Sequence, residues 1–298
     1  MVEVRVAVVV RTTPRSNKKN RPDWFSKVAC AETLRIAVGE LDAPVTVDVI
    51  ADGGVPVGTE PVYAKFADVH LVSAGNNRRS FKLALNTALA RVRDGATLVV
   101  FCEDDYIYRP SALTALVAGF VSSPDAYLAL YTPDDRAWHA THRSQPLRPV
   151  RMSSRPIASG WREISHPTSS YAVPGVILKS DASTLRFVMY GGAPFAHATG
   201  ATVQGIRPFS WRHLNRDLNL RSSPKSWMKG LVRVPMRLLI NLLALSVRRR
   251  HRRYISPRHD LITHVESAHI SAGDVWRELS ESALMSVEGR DGQGGSLA

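Results

Sequence analysis

The stretch "VVFCEDDYIYRP", residues 99–110, places three consecutive carboxylates directly after an apolar run. The run has the composition of a strand buried on both faces, as in a parallel sheet covered by helices. Glu103, Asp104 and Asp105 follow at its end, and Pro110 suits the first turn of a helix. Like charges side by side repel, so the cluster requires a positive partner. A metal ion, the start of the next helix and Arg109 are the alternatives.

Strands and helices alternate on both sides of this stretch. Continuous apolar runs predict strands at residues 4–10, 45–54, 69–73, 96–105 and 126–132. Helical spacing of apolar residues predicts helices at residues 23–41, 80–92 and 109–121. Such alternation predicts an α/β fold, a mostly parallel sheet flanked by helices.

The second half of the chain is less regular. Residues 132–168 are rich in Pro, Arg, His and Ser and are typical of a long loop, after which strand character returns at 169–180. A basic helical stretch follows at about 225–250, and Gly and Ser dominate the end of the chain. We expect four segments: a core over 1–220, a basic amphipathic helical segment over 221–254, a C-terminal segment of the core over 255–285 and a disordered tail over 286–298.

Composition constrains the partners of the protein. The chain has 298 residues, 44% of them hydrophobic and 22% charged, which is ordinary for a globular protein with a substantial core. Its net charge of +13 indicates an anionic partner: a nucleotide, a nucleic acid or an anionic membrane surface. Cys30 and Cys102 are its two cysteines, and we expect both to be reduced, structural thiols of a cytosolic protein. The first residues have the pattern of a strand rather than a signal peptide, and no apolar run is long enough to span a bilayer.

Carboxylates and basic residues are expected to meet at one edge of the sheet. Asp52 and the acidic triplet both follow predicted strands, and ligands bind at the carboxyl ends of parallel strands. Hard oxygen ligands of this kind suit Mg²⁺ or Mn²⁺ bridging a diphosphate. Donors to a nucleobase and its phosphates would come from the loop after the first strand and from the third helix: Arg11, Thr12, Thr13, Arg15, Arg78, Arg79 and Lys82. A solvated basic loop is the alternative interpretation, and Gly53–Gly54 has the pattern of a plain turn.

Five segments, in order, resemble nucleotide-sugar-dependent glycosyltransferases with the A-type (GT-A) fold, in a family-2-like bacterial branch. These are "VRVAVVVRTTPR", "VTVDVIADGG", "NNRRSFKLALNTALA" with the following "EDDY" strand, "YLALYTPDDR" and "HDLITHVESAHIS". The resemblance covers roughly residues 4–135 and 165–271. The last segment is similar to a C-terminal motif whose histidine closes the metal site and whose neighbours form a lid.

The resemblance implies roles for individual residues. Asp105 would be a direct ligand of Mn²⁺ or Mg²⁺, and Glu103 or Asp104 would bind the donor ribose or a metal-bound water. His264 would supply a further metal ligand. Arg258 to Asp260 replace the small residues usual before this motif, so His259 competes with His264 for the role.

The sequence departs from the resemblance at the position of the general base. An inverting transferase needs a carboxylate or histidine to accept the proton of the acceptor hydroxyl. The family has Asp or Glu at a helix start after the strand that corresponds to residues 169–180, whereas this chain has "GGAPFAHATGATVQG" there. Asp181, His197 and Asp217 are the three candidates, and the stereochemical outcome stays open.

A basic segment precedes the histidine motif. Eleven Arg or Lys and no acidic residue occur from Arg221 to Arg258. Four of them lie at intervals of four and predict one stripe on a helix, which Pro235 should kink or split: Lys225, Lys229, Arg233 and Arg237. The pattern predicts an interfacial membrane helix. A helix packed on the sheet with a solvated basic face, or a dimer contact, is the second interpretation, and nucleic acid is disfavoured because its usual motifs are missing.

Taken with the resemblance, these features predict a metal-dependent glycosyltransferase. It would move a sugar from a nucleoside diphosphate donor to a hydroxyl of a glycan or a lipid-linked acceptor, with no nucleic acid partner. We expect it on the inner face of the cytoplasmic membrane as a peripheral protein. The alternative is a non-catalytic protein that keeps the fold and binds sugar nucleotides, membranes or nucleic acid.

Overall fold

A computed structural model describes the greater part of the chain. The described residues are 3–15, 20–131, 157, 159–164, 170–192, 195–217, 224–250, 252–267, 269–271 and 273–291; within them, the side chains of 195–197, 216–217, 224–230 and 290–291 are left out. The strands are β1 (Val6–Thr12), β2 (Val45–Asp52), β3 (Asp68–Val72), β4 (Leu98–Glu103), β5 (Tyr106–Tyr108), β6 (Ala126–Ala129), β7 (Trp161–Ile164), β8 (Tyr171–Pro174), β9 (Arg253–Pro257) and β10 (Ile262–His264). The α-helices are α1 (Lys27–Gly39), α2 (Glu60–Tyr63), α3 (Asn77–Arg93), α4 (Ala112–Ser122), α5 (Gly175–Val188), α6 (Phe195–Val203), α7 (Trp211–Asp217), α8 (Pro224–Val247) and α9 (Val275–Asp291).

Eight of these strands form one sheet in the order β3-β2-β1-β4-β8-β6-β9-β7. Strands β3, β2, β1 and β4 are parallel neighbours, and β6 and β9 form a second parallel pair. β8 runs antiparallel to both β4 and β6, and β7 runs antiparallel to β9. The predicted α/β class, with a mostly parallel sheet flanked by helices, is confirmed.

Alternate residues of β1 pack on opposite faces of the sheet, which explains why its sequence is apolar from Val6 to Val10. Val6, Val8 and Val10 pack on one face of the sheet, in a cluster that includes Leu34 of α1. Ala7 and Val9 pack on the other face with residues of α3 and α5. Helices therefore cover both faces, which leaves the strand ends as the places where polar side chains can gather.

The C-terminal segment returns to the acidic stretch through a second, small sheet. β10 pairs antiparallel with β5, directly after the three carboxylates. Helix α9 then packs against α1, with the fully buried Trp276 in a cluster that contains Cys30 and Ile107. Helix α1, which precedes the acidic stretch in the chain, and the C-terminal segment with β10 and α9 are thus held together beside it.

Three predicted boundaries differ from the structure. Residues 175–180 belong to helix α5, because the chain turns at Gly175, whose N–H donates to the Thr97 carbonyl at 2.8 Å. Pro235 lies inside α8 without splitting it, since the helix runs unbroken from residue 224 to 247. Helix α9 continues to Asp291, past the predicted start of the tail at residue 286.

Candidate functional site

The carboxyl ends of β1, β2 and β4 meet at one edge of the sheet. The parallel registers pair Arg11 with both Ile50 and Glu103, and Thr12 with Ala51. Glu103 ends β4 level with Ile50, and Asp52 ends β2 two residues further along, on the same edge of the sheet. The predicted meeting of the acidic residues with the loop after the first strand is therefore present at this edge.

Asp52 organises the edge from within the chain. Its Oδ1 accepts the backbone N–H groups of Ala74 and Gly75 at 2.7 and 2.9 Å. Its backbone carbonyl accepts the hydroxyl of Thr13 at 3.0 Å. Asp52 therefore ties the end of β2 both to the loop before α3 and to the loop after β1.

Each carboxylate of the acidic triplet faces a cation from the N-terminal part of the chain. Glu103 is paired with Arg11, which also bonds the side chain of Asn77 at the start of α3. Lys27 pairs with Asp104 at 2.7 Å, and Arg21 pairs with Asp105 at 2.7 Å. Arg109 instead donates to the carbonyl of Asp260 and lies over the ring of Trp276. The positive partners of the triplet are thus Arg11, Lys27 and Arg21.

Asp104 joins the loop after β1 to the start of α1. Its Oδ2 accepts the hydroxyl of Thr12 at 2.7 Å, the N–H of Thr13 at 3.1 Å and the ammonium of Lys27 at 2.7 Å. Lys27 is the first residue of α1, where a positive charge opposes the helix dipole. The negative charge of Asp104 offsets this unfavourable interaction. Its carboxylate therefore holds the loop after β1 and the start of α1 in place at the edge.

Asp105 and His264 come together although they are 159 positions apart. β10 pairs with β5 so that His264 lies opposite Tyr106, and the two rings stack at 4.9 Å. His264 Nε2 then lies 3.1 Å from Oδ2 of Asp105, which is only 4% exposed. His259 is exposed. The structure therefore brings His264, of the two competing histidines, onto the acidic motif.

This pair fits part of a divalent metal site. Two ligand atoms that bind one octahedral ion at right angles lie about 3 Å apart, given metal–oxygen distances of about 2.1 Å. A carboxylate oxygen and an imidazole nitrogen are also suitable donors for Mn²⁺. Arg21 contacts the same carboxylate oxygen, so a metal ion at this position would compete with it. Across the described residues, no three His, Cys, Asp or Glu side chains gather into a metal-binding group.

The other predicted donor-binding residues lie around the same edge with different roles. Thr12 is buried, and its hydroxyl donates a hydrogen bond to Asp104. Arg15, in contrast, is exposed in the loop after β1. Arg78, Arg79 and Lys82 are exposed on the first turns of α3, where Asn76 caps the helix through the N–H of Arg79 at 3.0 Å. A helix N-terminus with exposed cations offers a favourable position for a diphosphate.

The three candidate bases have separate outcomes. Asp181 lies on α5 and is 2% exposed. Its carboxylate accepts Arg250 at 2.9 Å, Arg252 at 3.0 Å and the Tyr127 hydroxyl at 2.9 Å, and burial together with the charges of Tyr254 and Asp181 raises the pKa of Tyr127. That environment corrects our interpretation of Asp181, which joins α5 to the segment after α8. His197 and Asp217 lie on α6 and α7, but their side chains are outside the described residues.

Both cysteines lie close to the site without taking part in it. Burial, with the charges of Asp105 and Asp104 in second place, raises the pKa of Cys30 well above its ordinary value. Burial raises the pKa of Cys102 to about 12. Both thiols therefore stay protonated and unreactive at neutral pH.

Sequence reasoning missed two residues of the site, Lys27 and Arg21. Neither belongs to the predicted site residues, because their partners are 77 and 84 positions away along the chain. A signal was present for Lys27: a lysine directly after the capping Ser26 is unfavourable unless an anion lies nearby. Such a conflict with local preference is often found at functional sites.

No protein-family model and no curated protein matches this sequence. Among solved structures, residues 1–349 of TarS from S. aureus match with a TM-score of 0.43 and 13% identity, over 83% of this chain and 89% of that one. TarS bound to UDP-GlcNAc matches with a TM-score of 0.40 and 14% identity, over 67% of this chain and 54% of that one. Glucosyl-3-phosphoglycerate synthase from Mycobacterium tuberculosis, in complex with Mn²⁺, UDP-glucose and phosphoglyceric acid, matches with a TM-score of 0.39 and 14% identity, over 59% of each chain. At these values the likeness assigns neither a family nor an activity to this chain.

Proposed function

We propose that the protein is a glycosyltransferase that uses a nucleoside diphosphate sugar. The observation that carries the proposal is the contact between Asp105 and His264 at 3.1 Å. The sequence resemblance requires a histidine from the C-terminal motif to meet the acidic motif, and β10 pairs with β5 in the register that allows it. The acidic residues lie at the carboxyl ends of parallel strands, where ligands of α/β proteins bind.

The residues of the edge suggest how the donor would be held. The diphosphate would lie by the N-terminus of α3, facing Arg79 and Lys82, with Arg15 on the opposite loop. Asp104 would meet the ribose from the end of β4. Asp105 and His264 would hold Mn²⁺ or Mg²⁺, whereas the Glu103 carboxylate is paired with Arg11. When bound, that ion would offset the negative charge that develops on the leaving diphosphate.

The acceptor would be a hydroxyl of a glycan or of a lipid-linked molecule. A base must remove its proton as the sugar is transferred, and His197 or Asp217 would serve. Asp181 is unsuited because two arginines and a tyrosine hold its carboxylate. We propose further that the protein works peripherally on the inner face of the cytoplasmic membrane, for which the basic segment around α8 provides the attraction.

The proposal is tested with a panel of UDP-, GDP- and TDP-sugars. Hydrolysis or transfer is measured with Mn²⁺ and with EDTA, for the wild type, Asp105→Asn and the exposed control Glu288→Gln. We expect turnover of at least one donor that EDTA abolishes, a loss of at least about 100-fold in Asp105→Asn and full activity in the control. Nucleotide binding without turnover of any donor or acceptor would favour the non-catalytic alternative.

A further inference from the structure

Helix α8 carries an apolar face that points away from the protein. Six large apolar side chains on it are between 38% and 69% exposed: Leu231, Val232, Leu238, Leu239, Leu242 and Leu245. Residues three, four and seven positions apart share one side of a helix, so these side chains form a continuous strip. A contiguous exposed apolar strip of this kind marks an interaction surface. We call these six residues the outer strip.

The opposite side of α8 is fixed to the protein. Arg237, Ile240 and Ala244 are buried on it. The Arg237 guanidinium lies 4.7 Å from the centre of the Phe209 ring and donates to the carbonyl of Gly191 at 3.1 Å. Asn241 exchanges two hydrogen bonds with the backbone of Phe209, at 3.1 and 2.8 Å. These contacts hold the rotation of the helix, so the outer strip cannot turn inward.

This packing corrects the predicted stripe of four basic residues. Arg237 belongs to the buried side of α8, while Arg233 is exposed. The side chains of Lys225 and Lys229 lie outside the described residues. The apolar side chains of the outer strip, rather than a row of cations, form the outward surface along the described part of the helix.

The arginines after α8 divide into two groups. Arg250 and Arg252 bind Asp181, and Arg253 pairs with Asp125 at 3.0 Å. Arg248 and Arg249, in contrast, are exposed where the helix ends. The outer strip therefore has two exposed cations at its C-terminal end, within a stretch from Arg221 to Arg258 that has no acidic residue.

We propose that the outer strip lies flat on an anionic lipid surface, with Arg248 and Arg249 on the phosphate head groups. An apolar face bounded by arginine complements such a surface in both polarity and charge. None of the described helices is long and apolar enough to cross a bilayer. This inference names the contact surface of the membrane association proposed above and does not depend on the sugar-transfer reaction.

The test is co-sedimentation of the full chain with vesicles of phosphatidylcholine alone or mixed with phosphatidylglycerol, at about 0.05 M and about 0.5 M salt. We expect binding to the anionic vesicles that weakens at high salt. Leu239→Gln with Leu242→Gln should lower the affinity at least tenfold. Arg248→Gln with Arg249→Gln should lower the affinity for anionic vesicles about 30-fold at low salt, since the contributions of two basic residues near an anionic surface multiply. The matched controls, Val57→Gln with Met285→Gln and Lys65→Gln with Arg93→Gln, should bind like the wild type.

Several outcomes would overturn the inference. One is a wild type that ignores anionic vesicles at low salt. Another is light scattering that shows a dimer which Leu239→Gln with Leu242→Gln dissociates, because the strip would then be a protein interface. Leu242→Trp gives a second measurement: the emission added over that of the wild type, which has six tryptophans, should shift to the blue with anionic vesicles and stay unchanged if the strip avoids lipid. Failure to bind any nucleotide would count against the proposed function and leave this test unaffected.

Discussion

The guanidinium of Arg21 lies 2.7 Å from Oδ2 of Asp105, the same oxygen that His264 approaches to 3.1 Å. Arg21 also stacks on Phe25 and donates to the carbonyl of Val265. A cation of the protein is thus positioned where a metal ion held by Asp105 and His264 would lie. Two positive charges cannot share that position without strong repulsion.

Arg21→Gln should therefore raise the affinity for Mn²⁺. Removing the competing cation lets the metal ion approach Asp105 without displacing a salt bridge, and we expect a gain of about tenfold. Calorimetric titration of the nucleotide-free protein measures it, with a melting curve to confirm the fold. Arg15→Gln, an exposed cation of the same loop, is the control and should leave the affinity unchanged. Equal affinities in Arg21→Gln and the wild type would contradict the competition.

The histidine assignment can be tested with a matched pair. His264→Ala removes a nitrogen 3.1 Å from Asp105, whereas His259→Ala removes an exposed ring a few residues earlier. We expect the first variant to lose at least about tenfold in Mn²⁺ affinity and the second to keep it. If His259→Ala is the variant that loses affinity, the competing assignment is right.

The sequence predicted the α/β class and the acidic edge, because β1 and β4 are apolar up to their polar ends and β2, although it contains Thr46 and Asp48, also ends in a carboxylate. His264 was predicted only through the resemblance, since nothing local to it indicates a partner 159 positions away. The run at 169–180 predicts one strand, whereas only its first part forms β8 and the rest begins α5, because a short apolar run is compatible with a strand or a buried helix. Arg21, Arg237 and Asp181 depend on tertiary contacts, which spacing along the chain does not reveal.

Asp48 supports a pH-dependence prediction away from the site. It is 1% exposed on β2 and bonds Arg91 twice at 2.8 Å and His70 at 2.8 Å. Burial works to raise its pKa, but the hydrogen bonds from Arg91 and His70 outweigh it and lower the pKa below the ordinary value. Asp48 therefore stabilises the fold above the pKa of the unfolded chain, about 3.9. That contribution is lost as the pH falls further, through the lowered pKa of the folded state.

Asp48→Asn should lower the free energy of unfolding at pH 7 by about 3 kcal/mol, because Arg91 loses its charged partner. The difference from the wild type should shrink as the pH falls below 4. Denaturant unfolding at neutral and acidic pH measures both values. The exposed Asp94→Asn is the control and should have little effect at either pH. A difference that stays constant down to acidic pH would contradict the ion-pair interpretation.

Asp181 gives the sharpest distinction between a structural and a catalytic carboxylate. It joins α5 to Arg250 and Arg252, which follow α8, and to Tyr127 of β6. Asp181→Asn would leave two arginines without their buried anion, so the free energy of unfolding should fall by about 3 to 5 kcal/mol. In protein that stays folded at low temperature, we expect the pH profile of kcat for the proposed transfer to match that of the wild type, because two arginines and a tyrosine hold this carboxylate. His197→Ala and Asp217→Asn are measured alongside, and the variant that lacks the base should lose the acidic limb of the profile. If Asp181→Asn loses that limb while its unfolding curve is unchanged, Asp181 is the base and its ion pairs are incidental.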